Sequence, residues 1–264
     1  MRARVSLIRR LGPNCALARR GADRSQNGST LAALEQTIRE GCVAHDDWAT
    51  QASRSLHKTE FWEKFYESKH GTSQADDFEW FVDASAAGRF VLDTIGPSHQ
   101  KMLHVGAGTS NLGPFLLSEK SGIDVVNCDV SETAMKLMRE AFPDHAWHVL
   151  DLAGLDLNPH PWDRSFDLIV DKGALDAVLF GGPELSANFL FGCARMLRQG
   201  LLSGGNAAMW IQISDDPPER RLGLLRRVLP EKWRVRYHPV RVPVDLPHSL
   251  FDQEHWGYVI TIGE

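Results

Sequence analysis

The chain has 264 residues, 43% of them hydrophobic and 24% charged, with a net charge of −5, which suits one sizeable globular core. No apolar stretch approaches the roughly 18 residues that a membrane-spanning helix needs, so no membrane partner is expected. The four cysteines, Cys15, Cys42, Cys128 and Cys193, lie at least 27 residues apart with no CxxC, which excludes a disulfide framework and zinc-knuckle spacing and suits a reducing compartment.

Charge is unevenly distributed. Residues 1–24 hold seven arginines against one acid, Asp23, a net of +6; the whole chain's −5 less this +6 leaves −11 on the other 240 residues. An Arg-rich, almost acid-free start with Val5, Leu7, Ile8 and Leu11 between the arginines has the composition of a mitochondrial transit peptide, and the apolar core of a secretory signal is missing. A basic tail or nucleic-acid arm is the competing reading. The acidic remainder argues against a nucleic-acid partner, because phosphate binding calls for a basic face.

Residues 25–30 read as a Ser/Gly linker, and 31–57 as a polar, helical stretch. "TEFWEKFYESKHGTSQADDFEWF" follows, dense in aromatics for so charged a segment. From residue 101 on, strand-like runs ("KMLHV", "IDVVNC", "AWHVL", "FDLIV", "NAAMWIQI") alternate with helix-like ones. "SETAMKLMREAF" and "ELSANFLFGCARMLRQ" carry apolar residues at helical spacing, the first opened by Ser131 as N-cap. Five strands alternating with helices imply a doubly wound α/β parallel sheet. The last two runs, "WRVRYHPV" and "HWGYVITI", imply an antiparallel hairpin closing one edge.

In such a sheet the ligand sits at the carboxyl ends of the strands, beside the turn after the first one. That turn is "HVGAGTSN", in which Gly106 and Gly108 allow a sharp bend and a close approach to a ligand. The dinucleotide fingerprint GxGxxG needs its third glycine where Asn111 stands. Asp129 ends the second strand 23 residues after Gly106, close to the spacing of a carboxylate that accepts from ribose hydroxyls. Asp151 ends the third strand, where it could accept from an adenine amino group; a surface turn is its plainer role. Glycine turn, ribose acid and adenine acid together describe S-adenosylmethionine (SAM) better than NAD. His145 and His148, three apart on a strand, point to opposite faces and make no metal site.

"DLIVDKGALDAVL" (167–179) resembles the D/E-K-G-T-x-D-A signature of the seven-stranded methyltransferases that modify lysines of citrate synthase and of translation elongation factor. "FWEKFY" and "FEWF" resemble the aromatic N-terminal cap of that family. "WIQISDDPPERRL" (210–222) is similar to the I-Q-F-S-D-E-D-P stretch of its mitochondrial citrate synthase lysine methyltransferases. The resemblance implies a methyltransferase domain over 58–264 with a Rossmann-like, seven-stranded class I fold, mostly parallel with an antiparallel C-terminal edge. It further implies SAM as cofactor, citrate synthase as protein substrate and the mitochondrial matrix as location.

Carried over by position, the resemblance places Trp62 and Tyr66 over the cofactor, with Phe78 where the family often has Tyr. Gly106 and Gly108 take the methionine portion, Asp129 and Val130 the ribose and adenine, and Asp151 and Leu152 the adenine edge. Lys172, beside Asp171, is expected at the rim where cofactor meets substrate, as the pair nearest the chemistry. His104 and Ala107 depart from the family's Asp and Cys. The plainer readings are a core role for Trp62 and Tyr66, a solvated Lys172, and Asp216 as a helix N-cap ahead of Pro217.

SAM carries an activated methyl, so the protein mainly aligns a nucleophile with it and excludes water. A lysine nucleophile must be neutral, which at about pH 8 costs roughly 3 kcal/mol from a pKa near 10.4; an aromatic-lined site lowers that cost. Asp171, Asp176, Asp215 and Asp216 are the expected rim carboxylates that guide it in. A small-molecule methyltransferase, an NAD oxidoreductase and a noncatalytic SAM-binding protein are the alternatives.

Overall fold

The computed structural model describes residues 55–69, 79–156, 158–199, 201–202, 204–241 and 254–262. The expected presequence over 1–24, most of the 25–57 extension, and Phe78 lie outside them.

Helices α1 (Thr59–Lys69) and α2 (Ala84–Thr94) precede β1 (Lys101–Val105), α3 (Leu112–Glu119), β2 (Asp124–Asp129), α4 (Glu132–Ala141), β3 (Ala146–Val149) and β4 (Leu168–Lys172). Then come α5 (Ala174–Val178), a 3-10 turn, α6 (Pro183–Met196), β5 (Met209–Ser214), α7 (Pro218–Val228), β6 (Trp233–Pro239) and β7 (Trp256–Ile262). The strands form one seven-stranded sheet in the order β3-β2-β1-β4-β5-β7-β6. The five strands β1 to β5 are mutually parallel, and β7 runs antiparallel to both its neighbours. The expected terminal hairpin is present, but its second strand is inserted beside β5 and leaves β6 at the edge.

Burial explains the composition of each strand. β4 and β5 are buried along their whole length, and their apolar runs are continuous because helices cover both faces. On one face Leu103, Ile169 and Trp210 pack with Phe189, Leu190 and Cys193 of α6 and Leu225 of α7. On the other Met102, Val170 and Ile211 pack with Ala87 and Val91 of α2 and Leu112 and Leu116 of α3. Edge strand β6 alternates half-buried Trp233 and Val235 with exposed Arg234 and Arg236, and charge on an edge discourages pairing with other chains. In α4, Ala134, Met135 and Met138 face inward, and Ser131 caps the helix by accepting the Ala134 N–H at 3.1 Å, as expected.

The helix α7 starts one residue later than expected. Pro217, not Asp216, is its N-cap and is extended at φ −70°, ψ 156°. Pro218 causes this, because a residue preceding proline is pushed out of the helical region.

Candidate active site

The carboxyl ends of β1, β2, β3 and β4 surround an open cavity, at the place where an open α/β sheet binds its ligand. Trp62, Tyr66, Gly106, Gly108, Asp129, Val130, Asp151, Leu152 and Lys172 all line it. Leu56, His57, Thr59 and Trp80 join them from the N-terminal segment, and Val178, Leu185 and Phe189 from α5 and α6.

The floor is the turn after β1. Gly106 and Gly108 hold φ of +62° and +50°, a region that costs an L side chain about 1 kcal/mol or more. Space is denied as well: a Cβ on Gly106 would collide with that of Ala174, and one on Gly108 with the hydroxyl of Tyr66. Asp129 crosses from β2 to this turn, its Oδ2 accepting the Gly108 N–H and its Oδ1 the Ser131 N–H, both at 2.9 Å. Burial pushes the Asp129 carboxyl up to about 6 against the pull of those amides. Asp151, exposed at the mouth, accepts the Ala153 N–H at 2.9 Å.

His104 lies fully buried under the turn. Asn127 donates its Nδ2 to the Ala146 carbonyl at 3.1 Å, so its Oδ1 faces His104 Nδ1 at 3.1 Å and assigns the ring proton to that nitrogen. His104 Nε2 has no hydrogen-bond partner among the described residues. Burial lowers the ring's pKa to about 4, which makes His104 a neutral acceptor.

The aromatic wall is built by α1. Trp62 and Tyr66, one turn apart, stack at 6.0 Å between ring centroids, and Trp62 meets Trp80 edge-on at 5.8 Å. Trp62 Nε1 donates to the Leu56 carbonyl at 2.7 Å. Glu63 fastens α1 to the start of α4, its two oxygens accepting the N–H groups of Glu132 at 2.7 Å and Thr133 at 3.1 Å. Burial works against this carboxylate, but the hydrogen bonds from Thr133, Glu132 and Ser131 hold its pKa below the usual range.

The acids expected at the rim are placed otherwise. Asp171 is only 1% exposed, and its Oδ1 accepts the Ala174 N–H at 2.8 Å at the start of α5. Burial and the adjacent charge of Asp176 push it up to about 7. Asp176 accepts from the fully buried Arg221 and, at 2.7 Å, from the Ser214 hydroxyl. Asp216 pairs with Arg220 at 2.8 Å and with Arg221 at 3.4 Å. Asp215 is also buried. None of these four lines the cavity: the charges of Asp176 and Asp216 are spent on buried Arg221, which sequence reading passed over as one of several arginines on a helix.

Lys172 reaches the cavity but is not solvated. Its side chain is 2% exposed, and Nζ donates to Glu79 Oε2 at 2.6 Å and to the Trp80 carbonyl at 3.0 Å. Glu79 was not singled out in the sequence. Its Oε2 also accepts from the Ser110 hydroxyl, and its Oε1 from the Asn111 N–H, both at 2.8 Å.

These groups fit SAM. Apolar Val130, Leu152 and Phe189 could hold a purine, the carboxylates of Asp129 and Asp151 could accept from its diol and amine, and orphaned His104 Nε2 awaits a donor. Among the described residues no group of three or more His, Cys, Asp or Glu side chains is gathered for a metal ion.

Residues 103–200 match the methyltransferase-domain family. The mitochondrial citrate synthase-lysine N-methyltransferase of Danio rerio is 32% identical over 189 residues, 66% of this chain and 72% of that protein. The eEF1A lysine and N-terminal methyltransferase of Homo sapiens is 29% identical over 197 residues, 72% of this chain; the match spans only 26% of that longer protein. Phosphoethanolamine N-methyltransferase 1 of Haemonchus contortus, solved with phosphoethanolamine and S-adenosylhomocysteine, shares the fold at a TM-score of 0.54 and 14% identity, over 81% of this chain and 50% of that one. With its seven-stranded sheet, its glycine turn and the Danio rerio relative, the chain belongs to the SAM-dependent methyltransferases of the protein-lysine methyltransferase family.

Proposed function

We propose that the enzyme methylates a lysine of a folded mitochondrial protein, citrate synthase, in the matrix. The match along 72% of a relative named for that substrate carries this reading, and the Arg-rich residues 1–24 support the location. In this reading Asp129 accepts the ribose hydroxyls, Asp151 the adenine amine, and Val130, Leu152 and Phe189 clasp the purine. Bound SAM supplies an electrophilic methyl; the chain's own contribution is alignment and dryness. Trp62, Trp80 and Tyr66 form an apolar wall past which the substrate amine passes, and desolvation there favours its neutral, nucleophilic form. With Asp171, Asp176 and Asp216 engaged inside the protein, the lysine enters without a carboxylate base from that group.

The eEF1A relatives, matched over 72% of this chain, favour elongation factor as the second reading. Purified enzyme with radiolabelled SAM decides between them, offered folded citrate synthase, heat-denatured citrate synthase and eEF1A. Label on folded citrate synthase alone is expected. Label on eEF1A alone, or equal label on native and denatured protein, overturns the proposal. A fluorescent fusion lacking residues 1–24 should move from mitochondria to cytosol.

A further inference from the structure

The helix that follows a glycine turn presents free N–H groups and a positive dipole end, and in dinucleotide-binding folds that end receives the cofactor's pyrophosphate. In this protein the place is taken from within. The Glu79 carboxylate sits at the start of α3, accepting the Asn111 N–H and the Ser110 hydroxyl at 2.8 Å each. The same carboxylate accepts Lys172 Nζ at 2.6 Å. Three donors from two different strand ends therefore converge on one side chain, itself 14% exposed. Ser110 and Lys172 both line the cavity, so the width of the cavity between the glycine turn and the end of β4 is set through Glu79. Lys172 also holds the Trp80 carbonyl at 3.0 Å, beside Phe81, which takes the strained φ of +65°.

We propose that Glu79 is a positioning and specificity-determining residue: its carboxylate spaces Ser110 and Asn111 from Lys172, and it fills the anion position so that the site takes a phosphate-free cationic cofactor rather than a dinucleotide. The proposal rests on the assignment of SAM as cofactor. It predicts that the carboxylate is needed as a group and not as a tether, because Ser110, Asn111 and Lys172 all donate to it.

S-Adenosylhomocysteine binding is measured by calorimetry in phosphate-free buffer on the full chain, for wild type, Glu79→Ala and Glu79→Gln. Glu79→Ala opens a hole lined by three donors and should weaken binding by about ten- to a hundredfold, the range for lost charge-assisted hydrogen bonds. Added acetate should restore most of the loss and chloride at equal ionic strength none of it. Pyrophosphate should bind this variant in competition with acetate, and should not bind wild type. Glu79→Gln fills the hole but turns an N–H toward a donor, so it should be weakened and indifferent to acetate. A Glu79→Ala variant with wild-type affinity, or one that is folded, weakened and unmoved by acetate, overturns the proposal. Should Glu79→Ala show no cooperative melting, Glu79→Gln decides: normal melting with weakened binding supports the role, and wild-type affinity overturns it. Failure of wild type to bind S-adenosylhomocysteine at all would instead remove the cofactor assignment underneath.

Discussion

Asp129 and Gly108 are joined across the sheet: the carboxylate ending β2 accepts the N–H of the second glycine after β1 at 2.9 Å. The acid proposed to face the ribose therefore also shapes the glycine turn. Burial raises its pKa to about 6, and a diol donates to the ionised form. Affinity for S-adenosylhomocysteine should accordingly rise with pH through about 6 and level off above it. Asp129→Asn should bind about ten- to a hundredfold more weakly above pH 7 and show no such rise. Calorimetry between pH 5 and 8 checks both, and a wild-type affinity that is flat across this range removes Asp129 from the ribose.

Gly108 and Tyr66 make a second pair. Gly108→Ala would drive a Cβ into the Tyr66 hydroxyl, with the ring carbon behind it at 3.2 Å. The variant should lose most cofactor binding. Tyr66→Phe removes the colliding atom, so the double variant should recover part of the loss, short of wild type by the roughly 1 kcal/mol of backbone strain that remains. A double variant no better than Gly108→Ala would mean that the collision is not the cause.

The legibility of the sequence follows the range of each interaction. The central strands β1, β4 and β5 were readable because helices bury both their faces and select apolar runs. That Asp129 and Asp151 lie on the cavity wall was readable because one ends a strand and the other follows one by two residues, and topology brings those positions beside the glycine turn. Glu63 and Glu79 were not, since their amide partners lie 69 and 32 residues away and an acid in a charged segment carries no local sign of them. The pairing of Asp176 is hidden for the same reason: its partner Arg221 is 45 residues further on. Asp216 ahead of Pro217 has the pattern of a cap, but Pro218 moves the cap to Pro217.

Asp171 offers a test on stability. Its pKa is raised from 3.8 to about 7 in the folded protein, by burial first and by Asp176 second. The native state thus holds a proton that the unfolded chain releases, and wild-type stability falls as pH rises from about 4 to about 7. Asp171→Asn keeps an acceptor for the Ala174 N–H and loses the titration. Its Tm should match wild type near pH 4 and exceed it by on the order of 5 °C above pH 7. Thermal melts at the two pH values decide; a constant difference would show that the carboxyl does not titrate in this window.

Arg221 neutralises two acids from full burial. Arg221→Leu strands Asp176 without a counter-charge and should cost about 3–5 kcal/mol in urea unfolding. Adding Asp176→Asn should recover part of that. Asp216→Asn should lower stability slightly while leaving the KM for protein substrate unchanged, because its carboxylate faces Arg220 and Arg221. A raised KM would return Asp216 to the substrate rim.

The inserted strand sets the order in which the molecule can be completed. Among the described residues β6, at 233–239, has β7, at 256–262, as its one sheet neighbour, and β7 joins it to β5. Every strand that shapes the cavity is therefore synthesised before the one that locks the far side of the sheet. A chain in which β5 has formed but β7 has not docked exposes the open flank of β5, an unpaired row of N–H and C=O groups on an apolar strand, ready to pair with another chain. For this protein the hazardous interval of folding ends only when residues 256–262 dock on the flank of β5.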